Sequence, residues 1–224
     1  MVFGREKMKQ YKLKLKKWYD STAENYDNWG ENEGEFLVGD KDEEIKQFNK
    51  ILDEIKINKN SKILDIGTGT GRFLIEAVKR FGVGYGIDFS SKMLNVFKKK
   101  INKLKISDKI IELKVGDALS IKYPDNTFDL ILCMGVFDYY GFFDVKKFLD
   151  EMKRVAKNEC FFIVDFPNKE NKETFEFRNK ERSVGHEVFI HEYKDICNFL
   201  EENGFNILIT KKAEIEIQFL LEIK

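Results

Sequence analysis

Apolar residues recur along this chain in two rhythms. Near the start the spacing is helical: Met8, Tyr11, Leu15 and Trp18 lie on one face of a basic stretch, Lys7 to Lys17. Ser21-x-x-Glu24 has the form of a capping box, which predicts a second short helix there. Gly30 to Asp40 is polar and glycine-bearing, as in a loop. Asp42 to Ile55 is helical again, through Ile45, Phe48, Ile51, Leu52 and Ile55. From there short apolar runs alternate with helical patterns. Strands are predicted at Lys62–Ile66, Gly84–Phe89, Ile110–Val115, Phe128–Met134 and Cys160–Phe166. Between them helices are predicted at Phe73–Phe81, from a Ser90 cap to about Leu104, and at Val145–Ala156. Pro124-Asp125-Asn126 marks a turn within a loop over Gly116 to Thr127. Asn168–Val188 is a long polar insert. A helix over His191–Asn203 stops at Gly204, and strands at Phe205–Thr210 and Glu214–Ile223 close the chain.

Strands alternating with helices predict βαβ units and a mostly parallel sheet. The last two strands, joined through Lys211-Lys212, must be antiparallel, because so short a link cannot make a parallel crossover. Glu and Ile alternate in the final strand, which predicts one wet face. The 224 residues suffice for one α/β domain, and no repeat or second domain is visible. The formal net charge of zero speaks against a strongly basic nucleic-acid footprint. The basic stretch near the start fits a solvated helix face, with membrane or RNA contact as the alternative. Cys133, Cys160 and Cys197 are widely spaced and make no C-x-x-C pair, which suits a reducing, cytoplasmic setting. No apolar run approaches the ~20 residues that span a bilayer, and no signal-peptide pattern appears.

Chemistry concentrates in ILDIGTGTGRF, Ile63 to Phe73. A buried strand carrying Asp65 runs into Gly67, Gly69 and Gly71 and then a helix. Glycines at such a bend permit tight turning and close approach of a ligand. A dinucleotide fingerprint would have its third glycine at Arg72 instead. The carboxylate of Asp65 suits a cationic ligand better than a diphosphate. D-x-G-x-G-x-G after a strand resembles the first motif of the class I, Rossmann-like, S-adenosylmethionine (SAM) dependent methyltransferases. The resemblance covers roughly Trp18 to the C-terminus. It implies a doubly wound seven-stranded α/β sheet of order 3-2-1-4-5-7-6, with the last strand antiparallel, helices on both faces and an N-terminal helical cover. Residues 1–57 would form the cover and 58–224 the core, with 168–190 as an acceptor-side insert.

Further motifs agree with that family. Asp88, Phe89 and Met93 in GIDFSSKML follow the glycine loop by about twenty residues. In similar methyltransferases the strand-end acid accepts the ribose hydroxyls and the Met93 position packs on adenine. Asp117 and Ala118 in VGDAL match the place that meets the adenine amino group and ring, although an Asx turn would also put an aspartate there. Met134 and Gly135 would pass beneath the sulfonium and amino-acid half of SAM, beside Gly67 and Thr68. In WYDSTAENYDNW, Trp18 to Trp29, the family places its cover, so Tyr19 and Tyr26 would close over the cofactor. CMGVFDYY lacks the N-P-P-Y and Pro-Cys signatures of nucleic-acid enzymes and is similar to the ubiquinone/menaquinone-type, small-molecule branch.

The resemblance therefore implies methyl transfer from SAM to a small-molecule acceptor, leaving S-adenosylhomocysteine. Asp138, Tyr139, Tyr140 and His186 are candidate catalytic groups facing the acceptor. His191, just after the insert, is a further histidine in that region. No His/Cys/Asp spacing predicts a metal site. An RNA or protein methyltransferase, and a SAM-binding protein without transfer activity, stay open at this point. The acceptor's identity and the oligomeric state are not written in the sequence.

Overall fold

Strands that are apolar on both sides need cover on both sides, and this chain supplies it. The computed structural model describes residues 5–28 and 41–224. The seven strands are β1 (Lys62–Ile66), β2 (Val83–Asp88), β3 (Ile110–Val115), β4 (Phe128–Cys133), β5 (Ala156–Pro167), β6 (Phe205–Ala213) and β7 (Glu216–Ile223). They form one sheet in the order β3-β2-β1-β4-β5-β7-β6. Strands β1 to β5 pair in parallel and β7 runs antiparallel to both β5 and β6. The crossovers and tail contribute α1 (Arg5–Thr22), α2 (Lys41–Glu54), α3 (Arg72–Arg80), α4 (Ser91–Leu104), α5 (Phe142–Val155), α6 (Glu173–Ser183) and α7 (Tyr193–Glu202).

Successive strand residues feed opposite cores. Ile63, Leu130, Leu132, Ile163 and Leu220 pack with Phe48, Leu52, Leu74, Val78 and Phe97 from α2, α3 and α4. Leu64, Ile131, Phe162, Val164, Phe219 and Leu221 pack with Leu15, Phe148, Ile196 and Leu200 from α1, α5 and α7. Ser90 caps α4 as expected, its Oγ accepting from the Met93 N–H at 3.1 Å.

Four expectations need correction. Ser21 begins no helix: α1 runs through it, and its hydroxyl donates back to the Trp18 carbonyl at 2.7 Å. The segment after α1 is only a short 3-10 turn, Ala23–Asn28. The insert is not merely polar coil, since α6 lies inside it and buries Thr174, Phe177 and Glu181. The last hairpin turns at Glu214 and Ile215, and Lys211 and Lys212 belong to β6. The final strand has no wet face. It lies between β5 and β6 with α2 over it, so Glu216 and Gln218 are buried, and Gln218 Nε2 donates to the Glu44 carbonyl at 3.0 Å. The predicted loop over residues 30–40, and Trp29, lie outside the described residues.

Candidate functional site

The carboxyl ends of β1, β2 and β4 open on one edge of the sheet, where a doubly wound fold has its crevice. After β1 the chain turns through Gly67 (φ +71°), Gly69 and Gly71 (φ +81°). The backbone N–H groups of Gly67 and Thr68 donate to the Ile87 carbonyl at 2.9 and 3.0 Å, which ties the bend to β2. Side chains are excluded on steric grounds too. A Cβ on Gly67 would lie 2.4 Å from Val136 Cγ2, and one on Gly71 would lie 2.1 Å from the Phe97 ring. Asp65 is buried, and its Oδ2 accepts from the Thr68 hydroxyl at 2.7 Å. Burial pushes its pKa up to about 7.

Asp88 at the tip of β2 holds the bend from the other side. Its Oδ2 accepts from Gly69 N–H at 2.9 Å and its Oδ1 from Ser90 N–H at 2.7 Å. Each oxygen keeps a lone-pair direction for a ligand hydroxyl. Burial raises its pKa to about 6. Asp88, Phe89, Met93, Asp117, Ala118 and Tyr140 line one apolar cavity of about 420 Å³. Asp117 is exposed: Leu119 N–H donates to its Oδ1 at 3.0 Å, closing the Asx turn, while Lys12 reaches both oxygens at 2.8 and 2.9 Å. Helix α1 thus straps the mouth of this cavity, helped by a Ser90–Asp20 hydrogen bond of 2.6 Å.

A second, smaller cavity of about 130 Å³ adjoins it. Gly67, Gly69, Met134, Gly135, Tyr19, Tyr26 and Tyr139 line both. The Tyr19 hydroxyl donates to that of Tyr139 at 2.9 Å, so the end of α1 closes over the junction. Beyond the junction the walls become charged. Arg72 Nη2 pairs with Glu44 Oε2 at 2.5 Å, while Arg72 Nη1 is buried with no hydrogen-bond partner. Asp138, Asp165 and Glu216 also line this cavity. Their oxygens lie within 4.8 Å of one another, an arrangement that could hold a cation and that linear spacing could not announce.

The structure divides the four candidate catalytic groups. Asp138 and Tyr139 line the small cavity, whereas Tyr140 faces the large one and packs on Phe148 at 4.8 Å between ring centroids. His186 lines neither; it is buried behind the wall of the small one, with Nδ1 2.6 Å from Glu181 Oε2 and its ring edge-on to Trp18 at 5.0 Å and to Tyr139 at 5.9 Å. His191 stacks on Phe142 at 3.8 Å, away from the junction. Burial raises the pKa of Asp138 to about 7, with Glu44 adding to the rise, and lifts Tyr19 and Tyr139 well above the ordinary phenol range. Sequence reasoning missed Glu44, Asp165, Glu181 and Glu216. For Glu216 a signal existed, a glutamate inside a strand that the sheet order makes internal.

Residues 57–213 match a family model described as a methyltransferase domain. A phosphoethanolamine N-methyltransferase of Plasmodium falciparum is 28% identical over 190 residues, covering 80% of this chain and 70% of that protein. A demethylmenaquinone methyltransferase of a Geobacillus species is 36% identical over 116 residues, covering 50% of this chain and 48% of that protein. The chain thus spans about half the length of such quinone-directed relatives. Among solved structures, magnesium protoporphyrin IX methyltransferase from Synechocystis, with bound S-adenosylhomocysteine, superposes with a TM-score of 0.72 at 17% identity, over 95% of this chain and 100% of that one. A SAM-dependent methyltransferase from Aquifex aeolicus superposes with a TM-score of 0.60 at 22% identity, over 92% and 98%. The matched model spans most of the chain, and the sheet order and glycine bend agree with it: the chain belongs to the class I, Rossmann-like SAM-dependent methyltransferases.

Proposed function

We propose that this protein transfers a methyl group from SAM to a small-molecule acceptor. The observation that carries this reading is the junction of two unlike cavities at the carboxyl edge of the sheet, with the glycine bend, Met134 and Gly135 shared between them. The residues present fit the cofactor. Asp88 offers two carboxylate oxygens for ribose hydroxyls, Phe89, Met93 and Ala118 offer an apolar seat for a base, and Asp117 stands at its edge. Asp65 and Thr68 set the polarity under the bend, with Gly67, Gly69 and Gly71 giving close backbone approach. Arg72 Nη1, buried and unpartnered, is placed for a carboxylate. Bound SAM supplies a methyl group on a cationic sulfur, already activated toward a nucleophile. The chain's own task is then alignment and exclusion of water. Tyr19, Tyr26 and Tyr139 close the junction, and holding two reactants in register can contribute roughly 7–11 kcal/mol in favourable cases.

A small acceptor is supported by the small cavity's modest size and by the relatives, whose names range from phosphoethanolamine to demethylmenaquinone. That range leaves the acceptor itself unassigned by kinship. Among the described residues no helix is long and apolar enough to cross a membrane, and the free cysteines support a reducing, cytoplasmic setting. Titration calorimetry tests the reading: S-adenosylhomocysteine binds the wild-type protein at micromolar concentration or tighter, and NAD gives no heat. Absence of S-adenosylhomocysteine binding would sink it.

A further inference from the structure

Three carboxylates converge in the small cavity from distant parts of the chain. Asp138 comes from the 3-10 turn after β4, Asp165 from the tip of β5 and Glu216 from the start of β7. All three are at most 4% exposed. Burying a carboxylate without a partner is costly, and here the compensation is incomplete. Asp165 Oδ1 accepts from Gly135 N–H at 2.8 Å. Asp138 Oδ1 and Glu216 Oε2 are buried atoms with no hydrogen-bond partner at all. No ion pair among the described residues involves any of the three. The charged groups that face them do not resolve the excess. Glu44 on α2 and Glu181 on α6 add negative charge. Arg72 on α3 spends one nitrogen on Glu44, and Lys41 donates to the Tyr26 carbonyl at 3.0 Å. Burial raises the pKa of all three, so the empty cluster is neutralised by bound protons, one of them shared between Asp138 and Glu216, and a cationic group entering it would take the place of those protons.

We propose that the acceptor is a compact primary or secondary amine, bound as its cation by Asp138, Asp165 and Glu216, and methylated on nitrogen. This deepens the methyltransferase reading and rests on it. The remaining walls favour an ammonium group over a bare metal ion. Trp18, Tyr19 and Phe177 line the same cavity, and aromatic rings attract alkylammonium groups. Calcium and magnesium take six or more oxygen ligands, and aromatic walls supply none.

The same carboxylates answer the chemical need. An ammonium nitrogen has no lone pair to give, so its proton must leave first. Asp138, raised by burial, is suited to accept it. The proton passes from R–NH3+ to the Asp138 carboxylate. The freed nitrogen pair forms the N–C bond while the C–S bond breaks and its electron pair returns to sulfur. The products are R–NH2–CH3+ and neutral S-adenosylhomocysteine, and Asp138 then releases its proton to solvent.

The test uses the whole protein saturated with S-adenosylhomocysteine. A panel of small amines, beginning with ethanolamine, putrescine and tyramine, is compared with the matching alcohols by calorimetry and thermal shift. With SAM in place of its product, the mixtures are analysed for N-methylated amine by mass spectrometry. The expected result is that at least one amine binds and is methylated while its alcohol counterpart does neither. Glu216→Gln then weakens that amine at least tenfold and leaves S-adenosylhomocysteine affinity within threefold of wild type. The proposal is overturned if alcohols bind as well as amines, or if every amine in the panel is inert. It is equally overturned if magnesium or manganese chloride alone stabilises the protein in a way that Glu216→Gln abolishes, since that outcome assigns the cluster to a metal. Failure of S-adenosylhomocysteine itself to bind would instead strike the methyltransferase reading.

Discussion

The two cavities that meet under Tyr19 are built on opposite principles. The larger is floored by short runs at strand tips, Gly67 and Gly69 of the bend, Asp88–Phe89 and Gly116–Ala118, beneath α1. Its polar groups are satisfied by backbone at neighbouring strand tips, as when Asp88 takes the N–H groups of Gly69 and Ser90. The smaller cavity draws on α2, α3, α6, β5, β7 and the turn after β4, and leaves buried oxygens of Asp138 and Glu216 unsatisfied. A site completed by the fold suits a ligand shared by a whole family. A site left electrically incomplete suits a partner of one particular charge, because that partner removes the penalty.

If the larger cavity is held together by backbone geometry, breaking that geometry should have the largest effect of any single change. Gly71→Val places a branched side chain at φ +81° and against Phe97. Left-handed backbone costs about 1–2 kcal/mol and overpacking about 1–3 kcal/mol. The expected outcome is a melting temperature lower by roughly 10 °C, seen by calorimetry, with loss of measurable SAM binding. Next comes Asp88→Ala, which removes the anchor of both Gly69 and Ser90 along with the two oxygens facing the cavity. SAM affinity should fall at least tenfold, about 1.4 kcal/mol. Unchanged affinity in a titration would mean that Asp88 only caps the strand.

The smaller cavity should reveal itself through pH. Asp65 and Asp138 titrate near 7 and Asp88 near 6 in the folded state, raised by burial above an unfolded value of about 3.9. Between those limits the folded protein holds protons that the unfolded chain has released. Its stability therefore falls as pH rises from about 4 through 7, and the carboxyls of Asp165 and Glu216, raised well above the usual range by burial, extend the fall further. Glu44 and Glu181 reinforce the effect at Asp138, while Arg72 opposes it at Asp165. Denaturant titrations of the ligand-free protein at several pH values should show this slope. Asp138→Asn should make it shallower and raise stability at pH 8. A slope unaltered by the amide would show that the cluster carries no strain.

The same contrast explains what the sequence disclosed. Strands β1 and β3 were legible to the residue: β1 as a covered apolar run ending in glycines, and β3, at the sheet edge, as a short β-branched run that interleaves Glu112 and Lys114 and stops at Gly116. The Ser90 cap was legible because its partner, the Met93 N–H, lies three residues on, and the glycine bend because three alternate glycines after an apolar run mark a tight turn whatever they contact. Helix α6 was hidden, since its inward face includes Thr174 and Glu181, which are buried as partners of the Asn168 carbonyl and of His186. A stripe that is half polar gives no amphipathic signal. Glu216 misled for a related reason. Alternation of Glu and Ile ordinarily marks a half-wet strand, yet β7 is internal, and its acids face α2 and the cavity. Asp138 was legible singly, but its convergence with Asp165 and Glu216 was not, because sheet order and crossovers bring the three together.

The smallest expected effect lies on the rim of the larger cavity. Lys12 holds both oxygens of Asp117, whose side chain is 55% exposed. An exposed pair of this kind contributes about 0–1 kcal/mol and is screened by salt. Lys12→Ala should therefore shift the melting temperature by no more than about 3 °C, and by less at high ionic strength. Its effect on SAM should stay within about threefold and can have either sign: the strap over the cavity loosens, while the Asp117 carboxylate is freed for a hydrogen-bond donor on the ligand. Titrations at low and high salt separate the two. A loosened strap gives weaker binding at low salt only, where the pair exists to be lost. A freed carboxylate gives binding that matches or exceeds wild type at low salt and converges with it as salt rises. A loss well beyond tenfold at both salt concentrations would show that α1 is part of the cofactor seat itself, and that the larger cavity, like the smaller, is assembled from afar.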